Sequence, residues 1–234
     1  MILEIDIGNS RVKWRAVDTD GAIRHGHCAR DTADWPGTLP QQGVTQVRVA
    51  NVGGPEAAEQ LTSWARARWG LTPGYARSMR MLAGVVNGYR EPERLGVDRW
   101  LALLAAWREL HGGAVVVSAG TALTVDILAA DGQHNGGYIV PGLRLMRDAL
   151  ISGTSGVRPA AEALVSLAPG RSTTEAVLHG CMAMAVALIE RARRDVATPV
   201  VLSGGDAEAL APWLAGPVLR RPDLVLDGLG IALP

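Results

Sequence analysis

One pattern of strand, glycine turn, strand and Asp-Gly hairpin runs twice through this chain. That repetition limits the fold more than any other feature. The first copy opens on "ILEIDIGNSRVKWRAV", where Ile2, Leu3, Ile5 and Ile7 are apolar around Glu4 and Asp6. On the return, Val12, Trp14 and Ala16 alternate with polar residues, the period of a half-buried strand. Thr19 to Gly21 is a hairpin signal, and "AIRHGHC" reads as a third strand. The second copy is "GAVVVSAGTALTVDILAADGQHNGGYIV". Gly8 and Gly120 stand 112 positions apart, and the hairpin glycines Gly21 and Gly132 stand 111 apart. A single-residue gap therefore superposes both turns, which marks an internal duplication.

Helices separate the repeated units. "QVRVANV" (Gln46 to Val52) is a short strand, followed by a helix that starts at Pro55 and Glu56 and stops at Gly70. Val97 to Leu110 is a second, strongly apolar helix closed by Gly112 and Gly113. After the second hairpin, Gly142 to about Ala197 reads as mostly helical, and "PVVLSGGDAEALAPWL" reads as strand, Gly-Gly turn and helix. The expected class is α/β, with two similar lobes at 1–112 and 113–234 sharing a hinge and a cleft.

Composition excludes several classes of function. Positive and negative charges balance at 23 each, whereas a nucleic-acid binder shows a basic excess or stripe. The local cluster Arg191, Arg193 and Arg194 reads as the solvated face of a helix. Apolar runs fall short of the roughly 20 residues of a membrane span, and no signal sequence opens the chain. The two cysteines, Cys28 and Cys181, lie apart without metal-ligand spacing, as in a protein of a reducing cytoplasm. "HGHC" (His25 to Cys28) has no recognisable partner cluster of ligands and reads as a strand end or turn.

Three stretches can carry chemistry. Asp6 to Lys13, "DIGNSRVK", combines a small turn with an acid before it and a lysine after it. Its backbone N–H groups can approach an anion closely. Asp6 repels phosphate, so its sensible role is to hold a divalent cation beside it. The bland reading is a capped surface hairpin. No Walker P-loop or G-x-G-x-x-G occurs, so a nucleotide would be gripped by two such turns, the second being "SAGTALT" (Ser118 to Thr124). "SGGD" (Ser203 to Asp206) offers bare backbone to a base or ribose. In "NGYREPERLGVDRW", Asp98 and Arg99 fall on the first turn of an apolar helix. An acid there suits the helix dipole; it also suits a general base beside a charge-neutralising arginine.

Taken in order, these motifs resemble the type III pantothenate kinase family over nearly the whole chain. "DIGNS" with Lys13 is similar to its first phosphate motif, "GVDR" (Gly96 to Arg99) to its substrate and catalytic motif, and "GTALTVD" (Gly120 to Asp126) to its second phosphate motif. "GGYIVPGLRLM" is also characteristic. The resemblance implies the duplicated acetate and sugar kinase, Hsp70 and actin fold (ribonuclease H-like), with ATP between the lobes. It implies ATP-dependent phosphorylation of pantothenate, the first step of coenzyme A synthesis, with Mg2+. By motif, Asp98 takes the proton of the pantothenate hydroxyl. Tyr89, Gly96, Val97, Arg99 and Thr173 contact that substrate. Asp6, Ile7, Gly8, Asn9, Ser10, Arg11, Val12, Lys13 and Thr121 bind ATP, and Asp6 holds its metal. The family forms homodimers, and the helix around Cys181 to Ile189 is a candidate surface or a buried core element.

One position departs. Where the family often has an aspartate that holds a monovalent cation (K+ or NH4+), this chain has Ser118, whose neutral hydroxyl supplies no charge. Asp126 remains, read as the end of the next strand. Two rivals stand beside the kinase reading. One is another small-molecule kinase of the same fold; the other is a non-catalytic accessory protein, which would have lost Asp6, Asp98 or Arg99.

Overall fold

The first repeat is built around β1 (Ile2–Ile7). Leu3, Ile5 and Ile7 are fully buried and pack with Val12, Val49, Trp35 and Leu61. Glu4 is also buried, because Arg15 donates to it at 2.7 Å and Arg48 at 3.4 Å. Antiparallel β2 (Arg11–Val17) lies on one side of β1, with β3 (Ile23–Ala29) beyond it. Parallel β4 (Gln46–Asn51) lies on the other side. α1 (Pro55–Trp69) ends on Gly70 in the left-handed region at φ 69 and leads to β5 (Gly74–Tyr75). The sheet order is β3-β2-β1-β4-β5. A two-stranded ribbon follows, β6 (Met81–Leu82) with β7 (Val85–Val86), and then α2 (Val97–Leu110).

The second repeat begins with β8 (Ala114–Ala119), β9 (Ala122–Leu128) and β10 (His134–Pro141). α3 (Leu143–Gly153) and α4 (Thr173–Arg193) follow, then β11 (Val200–Ser203), the single turn α5 (Ala207–Leu210) and β12 (Val218–Arg220). Its order is β10-β9-β8-β11-β12, the first sheet repeated strand for strand. The hairpins also repeat in detail. Gly21 and Gly132 both have φ 84, and each preceding aspartate, Asp20 or Asp131, accepts a backbone N–H two residues on at 3.0 Å.

The single-residue gap has a definite place. In the first turn four residues separate the paired Ile7 and Val12; in the second, three separate Ala119 and Leu123. Gly8 N–H accordingly closes onto Arg11 O, and Gly120 N–H onto Ala122 O, both at 3.0 Å. The difference between the repeats thus lies in the turn expected to carry chemistry.

This computed structural model describes residues 1–156 and 166–234. They form two units, Met1–Glu109 with Asp223–Pro234, and Leu110–Pro222. The division falls close to the expected 112/113, but the last twelve residues, expected in the second lobe, return to the first. They form α6 (Leu224–Ala232), whose Leu224, Leu226 and Leu229 are buried. Of the helical reading of 142–197, residues 157–165 lie outside the described residues.

Three other expectations change. Arg193 is buried rather than solvated: it donates to Glu190 at 2.7 Å and to Ala215 O, pinning the chain after α4. Asp126 lies within β9 rather than at its end, buried and 2.8 Å from the equally buried His134. α4, at 21 residues, is long and apolar enough to cross a membrane. Its Val177, Cys181, Met182, Ala185, Val186 and Ile189 instead pack on Val115, Val117, Leu123 and Val125. One face of the helix therefore lies in the core of the second unit.

Candidate active site

The first unit gathers the residues of two motifs. β1 and β2 pair in a register that sets Asp6 directly opposite Lys13, so the acid before the turn and the lysine after it share one face. Asp6 is half-buried, and its pKa is pushed up to about 7. Burial is the largest cause, the nearby Asp98 carboxylate the second, while Lys13 pulls the value down. Residues 92 positions apart in sequence therefore form one electrostatic cluster.

Asp98 sits in the first turn of α2, with Trp100 N–H bonded to Gly96 O at 3.0 Å. Its Oδ1 accepts the Arg99 N–H at 2.8 Å. A Cβ on Gly96 would stand 2.6 Å from that same oxygen, so the glycine of "GVDR" leaves room for the carboxylate. Val97 is buried beneath. Arg99 is 5% exposed; its Nη1 donates to the Tyr89 hydroxyl at 2.7 Å, and its guanidinium carbon stands 5.5 Å from the Tyr89 ring centroid. The hydrogen bond and cation–π contact hold it against Tyr89.

Two positioning residues escaped sequence reasoning. Asn87 is 2% exposed, donates to Met79 O at 3.1 Å and Pro92 O at 3.0 Å, and accepts Tyr89 N–H at 3.0 Å. It fixes the loop that presents Tyr89. In sequence, Asn-Gly reads only as a turn. Arg30 bonds Asn9 O at 2.9 Å and Gly53 O at 3.1 Å. No local pattern flagged it, because its partners are backbone atoms of distant turns.

In the second unit, Thr121 is exposed in the three-residue turn and its carbonyl accepts Gly142 N–H at 2.9 Å. A Cβ on Gly142 would stand 2.0 Å from Gly120 O, and one on Gly204 2.2 Å from Ala119 O. The glycines of "VPGL" and "SGGD" thus let two segments close on the second turn. Thr173 is exposed at the start of α4, after the N-cap Ser172. Asp6, Lys13, Tyr89, Asp98 and Arg99 belong to the first unit, and Ser118, Thr121 and Thr173 to the second.

The donor set fits magnesium bound with a nucleotide. Asp6, whose pKa burial and the Asp98 carboxylate push up to about 7, would gain from a divalent cation beside it. No cluster of three or more His, Cys, Asp or Glu occurs among the described residues, so the remaining ligands would be phosphate oxygens and water, the usual habit of Mg2+. A monovalent cation finds less. Ser118 pairs in the sheet with Thr124 and Ser203, all neutral, and the Asp126 carboxylate is engaged by His134.

A duplicated ribonuclease H-like fold with a carboxylate-and-lysine turn in one repeat and a helix-borne aspartate beside it defines a phosphotransferase. The family model for type III pantothenate kinase matches residues 2–195. The type III pantothenate kinase of Pseudomonas putida (strain W619) is 41% identical over 249 residues, covering all of this chain and 99% of that one. That of Nitrosococcus oceani is 39% identical over 245 residues, covering 98% and 92%. This chain belongs to the type III pantothenate kinase family. Among solved structures, a Campylobacter jejuni protein described as a Baf family transcriptional activator aligns with TM-score 0.65 at 21% identity, covering 97% of this chain and 95% of that one. A Sinorhizobium meliloti protein described as a 2-dehydro-3-deoxygalactonokinase aligns with TM-score 0.64 at 15% identity, covering 99% and 95%. Both likenesses concern the fold alone.

Proposed function

We propose that this protein transfers the γ-phosphoryl group of ATP to the primary hydroxyl of pantothenate, giving 4'-phosphopantothenate and ADP in the cytoplasm. The observation that carries this reading is the Asp6–Lys13–Asp98 cluster, set beside Arg99 and Tyr89. The backbone of Gly8 to Ser10 and the Lys13 ammonium bind the triphosphate, flanked by Ile7, Arg11 and Val12, with Thr121 of the second repeat as a further ATP contact. Asp6 holds the magnesium that, when bound, neutralises phosphate charge. Gly96, Val97, Tyr89, Arg99 and Thr173 contact pantothenate. The new O–P bond forms as the β,γ-bridging P–O bond breaks to release ADP, and Asp98 accepts the hydroxyl proton. Such chemistry is mainly positioning and charge neutralisation.

The test is ADP release with ATP, magnesium and pantothenate, with the phosphorylated product identified by mass. Asp98→Asn should fold normally and lose roughly 100-fold or more in kcat, the scale of a general base. Near-normal turnover would remove Asp98 from that role. No pantothenate-dependent ADP from the folded wild type would overturn the kinase reading. With neutral groups around Ser118, turnover without added potassium or ammonium should stay within a few-fold of turnover with it; a complete requirement would show a cation site elsewhere.

The working form is a homodimer. Ile139, Leu145, Leu150 and Met184 are 41–61% exposed on β10, α3 and α4 of one unit, large apolar side chains of the kind that a second copy would cover. Sedimentation should give twice the 24.6 kDa chain mass; a monomer at micromolar concentration would refute this.

A further inference from the structure

Arg30 lies just beyond β3, outside every motif that the kinase reading uses. Its three hydrogen bonds all go to backbone carbonyls near the first phosphate turn. Its own N–H donates to Ser10 O at 3.1 Å, Nε to Asn9 O at 2.9 Å, and Nη1 to Gly53 O at 3.1 Å. One side chain therefore ties the turn after β1 to the turn after β4. These turns lie side by side because β1 and β4 are parallel neighbours, with Ile7 opposite Asn51.

The second anchor is itself fixed. Asn51 accepts Gly53 N–H at 2.9 Å and donates to Gly54 O at 2.8 Å, while Val52 N–H bonds Ile7 O at 2.9 Å. Gly53 is pressed so close that an added Cβ would stand 2.9 Å from Ile7 Cγ2, 3.1 Å from Gly8 O and 3.2 Å from Arg30 Cδ. Arg30 thus holds the phosphate turn against a rigid neighbour.

We infer that Arg30 is a positioning residue for ATP: by bridging Asn9 O and Gly53 O it sets the conformation in which the first turn receives phosphate. This rests on the ATP-binding reading of residues 6–13. Asn9 C=O and Ser10 N–H belong to one planar trans peptide. A guanidinium on the oxygen fixes that plane, directs the N–H away from Arg30 and polarises it as a donor. Only a fork can do this while also reaching Gly53; a lysine ammonium offers a single point of charge. The first turn has the extra residue relative to its counterpart, and the bridge fixes that longer loop.

The experiment compares Arg30→Lys, Arg30→Met and, as a control on the site, Lys13→Met. KM for ATP, KM for pantothenate, kcat and thermal midpoint are measured in each. Both Arg30 variants should raise KM for ATP roughly tenfold, the scale of one charge-assisted hydrogen bond, with KM for pantothenate unchanged. Arg30→Lys at wild-type KM for ATP would mean that charge alone matters, and would overturn the bridging role. So would unchanged KM in both variants, or a parallel rise of both KM values with a large fall in melting temperature. If Lys13→Met raises KM for ATP while the Arg30 variants do not, the inference fails and the phosphate reading stands. If Lys13→Met leaves KM for ATP unchanged, both fail.

Discussion

Asp6 is a residue whose negative charge costs the protein stability. Its pKa is raised from 3.8 to about 7, by burial first and by Asp98 second. The native state therefore binds this proton more tightly than the unfolded chain does. The stabilisation is complete below the unfolded value and is lost as pH rises through about 7. Asp6→Asn is neutral at every pH and escapes that loss. Without metal, the variant should melt above wild type at pH 8, by on the order of 1–3 kcal/mol after allowing for partial exposure. The gap should shrink toward pH 4. Adding magnesium and ATP should raise the wild-type melting temperature and leave the variant's nearly unmoved. A metal-free variant that melts below wild type at pH 8 would mean that the Asp6–Lys13 attraction outweighs burial. Asp6 and Asp98 were legible in sequence because an acid at a strand end or in a first helical turn leaves a local mark. Asn87 and Arg30 were not, since each acts on carbonyls brought near by the fold.

The same division holds for the elements. Helices α1 and α2 could be bounded closely from sequence, because Pro55, Gly70 and the Gly112–Gly113 pair punctuate them and their interiors lack breakers. Strand β2 followed from alternation, and β8 and β9 from the repeat of the strand, glycine turn and hairpin pattern that β1 and β2 open. The order of strands across each sheet did not, because alternation fixes a face and says nothing of the neighbour. The duplication supplies what alternation lacks: two sheets of identical order place β1 and β8 at equivalent centres. α4 shows the opposite failure. Its composition satisfies both a core helix and a membrane span, and sequence alone does not show the face that packs on β8 and β9. Arg193 misled for a related reason. A basic helix end reads as solvated, yet a long side chain can turn inward wherever a carbonyl awaits it, as Ala215 O does here.

At the scale of the molecule, the chain closes on itself to support the helix that carries Asp98. α6 returns to the first unit, where Asp227 accepts a 2.6 Å bond from Arg15 and its carbonyl a 3.4 Å bond from Arg108. Arg15 also holds Glu4, so the last helix, the first strand and α2 share one network. The closest approach is at Gly228, where a Cβ would stand 2.3 Å from Leu101 O and 2.7 Å from Leu101 Cβ. Leu101 lies one turn along α2 from Asp98. A methyl group there meets backbone, which cannot rotate away, so α6 or α2 must shift. Gly228→Ala should cost about 1–3 kcal/mol, the usual scale of overpacking. At roughly 2–4 °C per kcal/mol for a chain of this size, the melting temperature should fall by several degrees. Displacement of α2 should also lower kcat at 25 °C, although Gly228 belongs to none of the site motifs. Melting curves and steady-state rates on the same preparations separate the outcomes. A lower melting temperature with unchanged kcat would mean that α6 moves and α2 stays. If both are unchanged, the contact at Leu101 is not a constraint on either helix, and the C-terminal residues are a cover on the first unit rather than part of what aims Asp98.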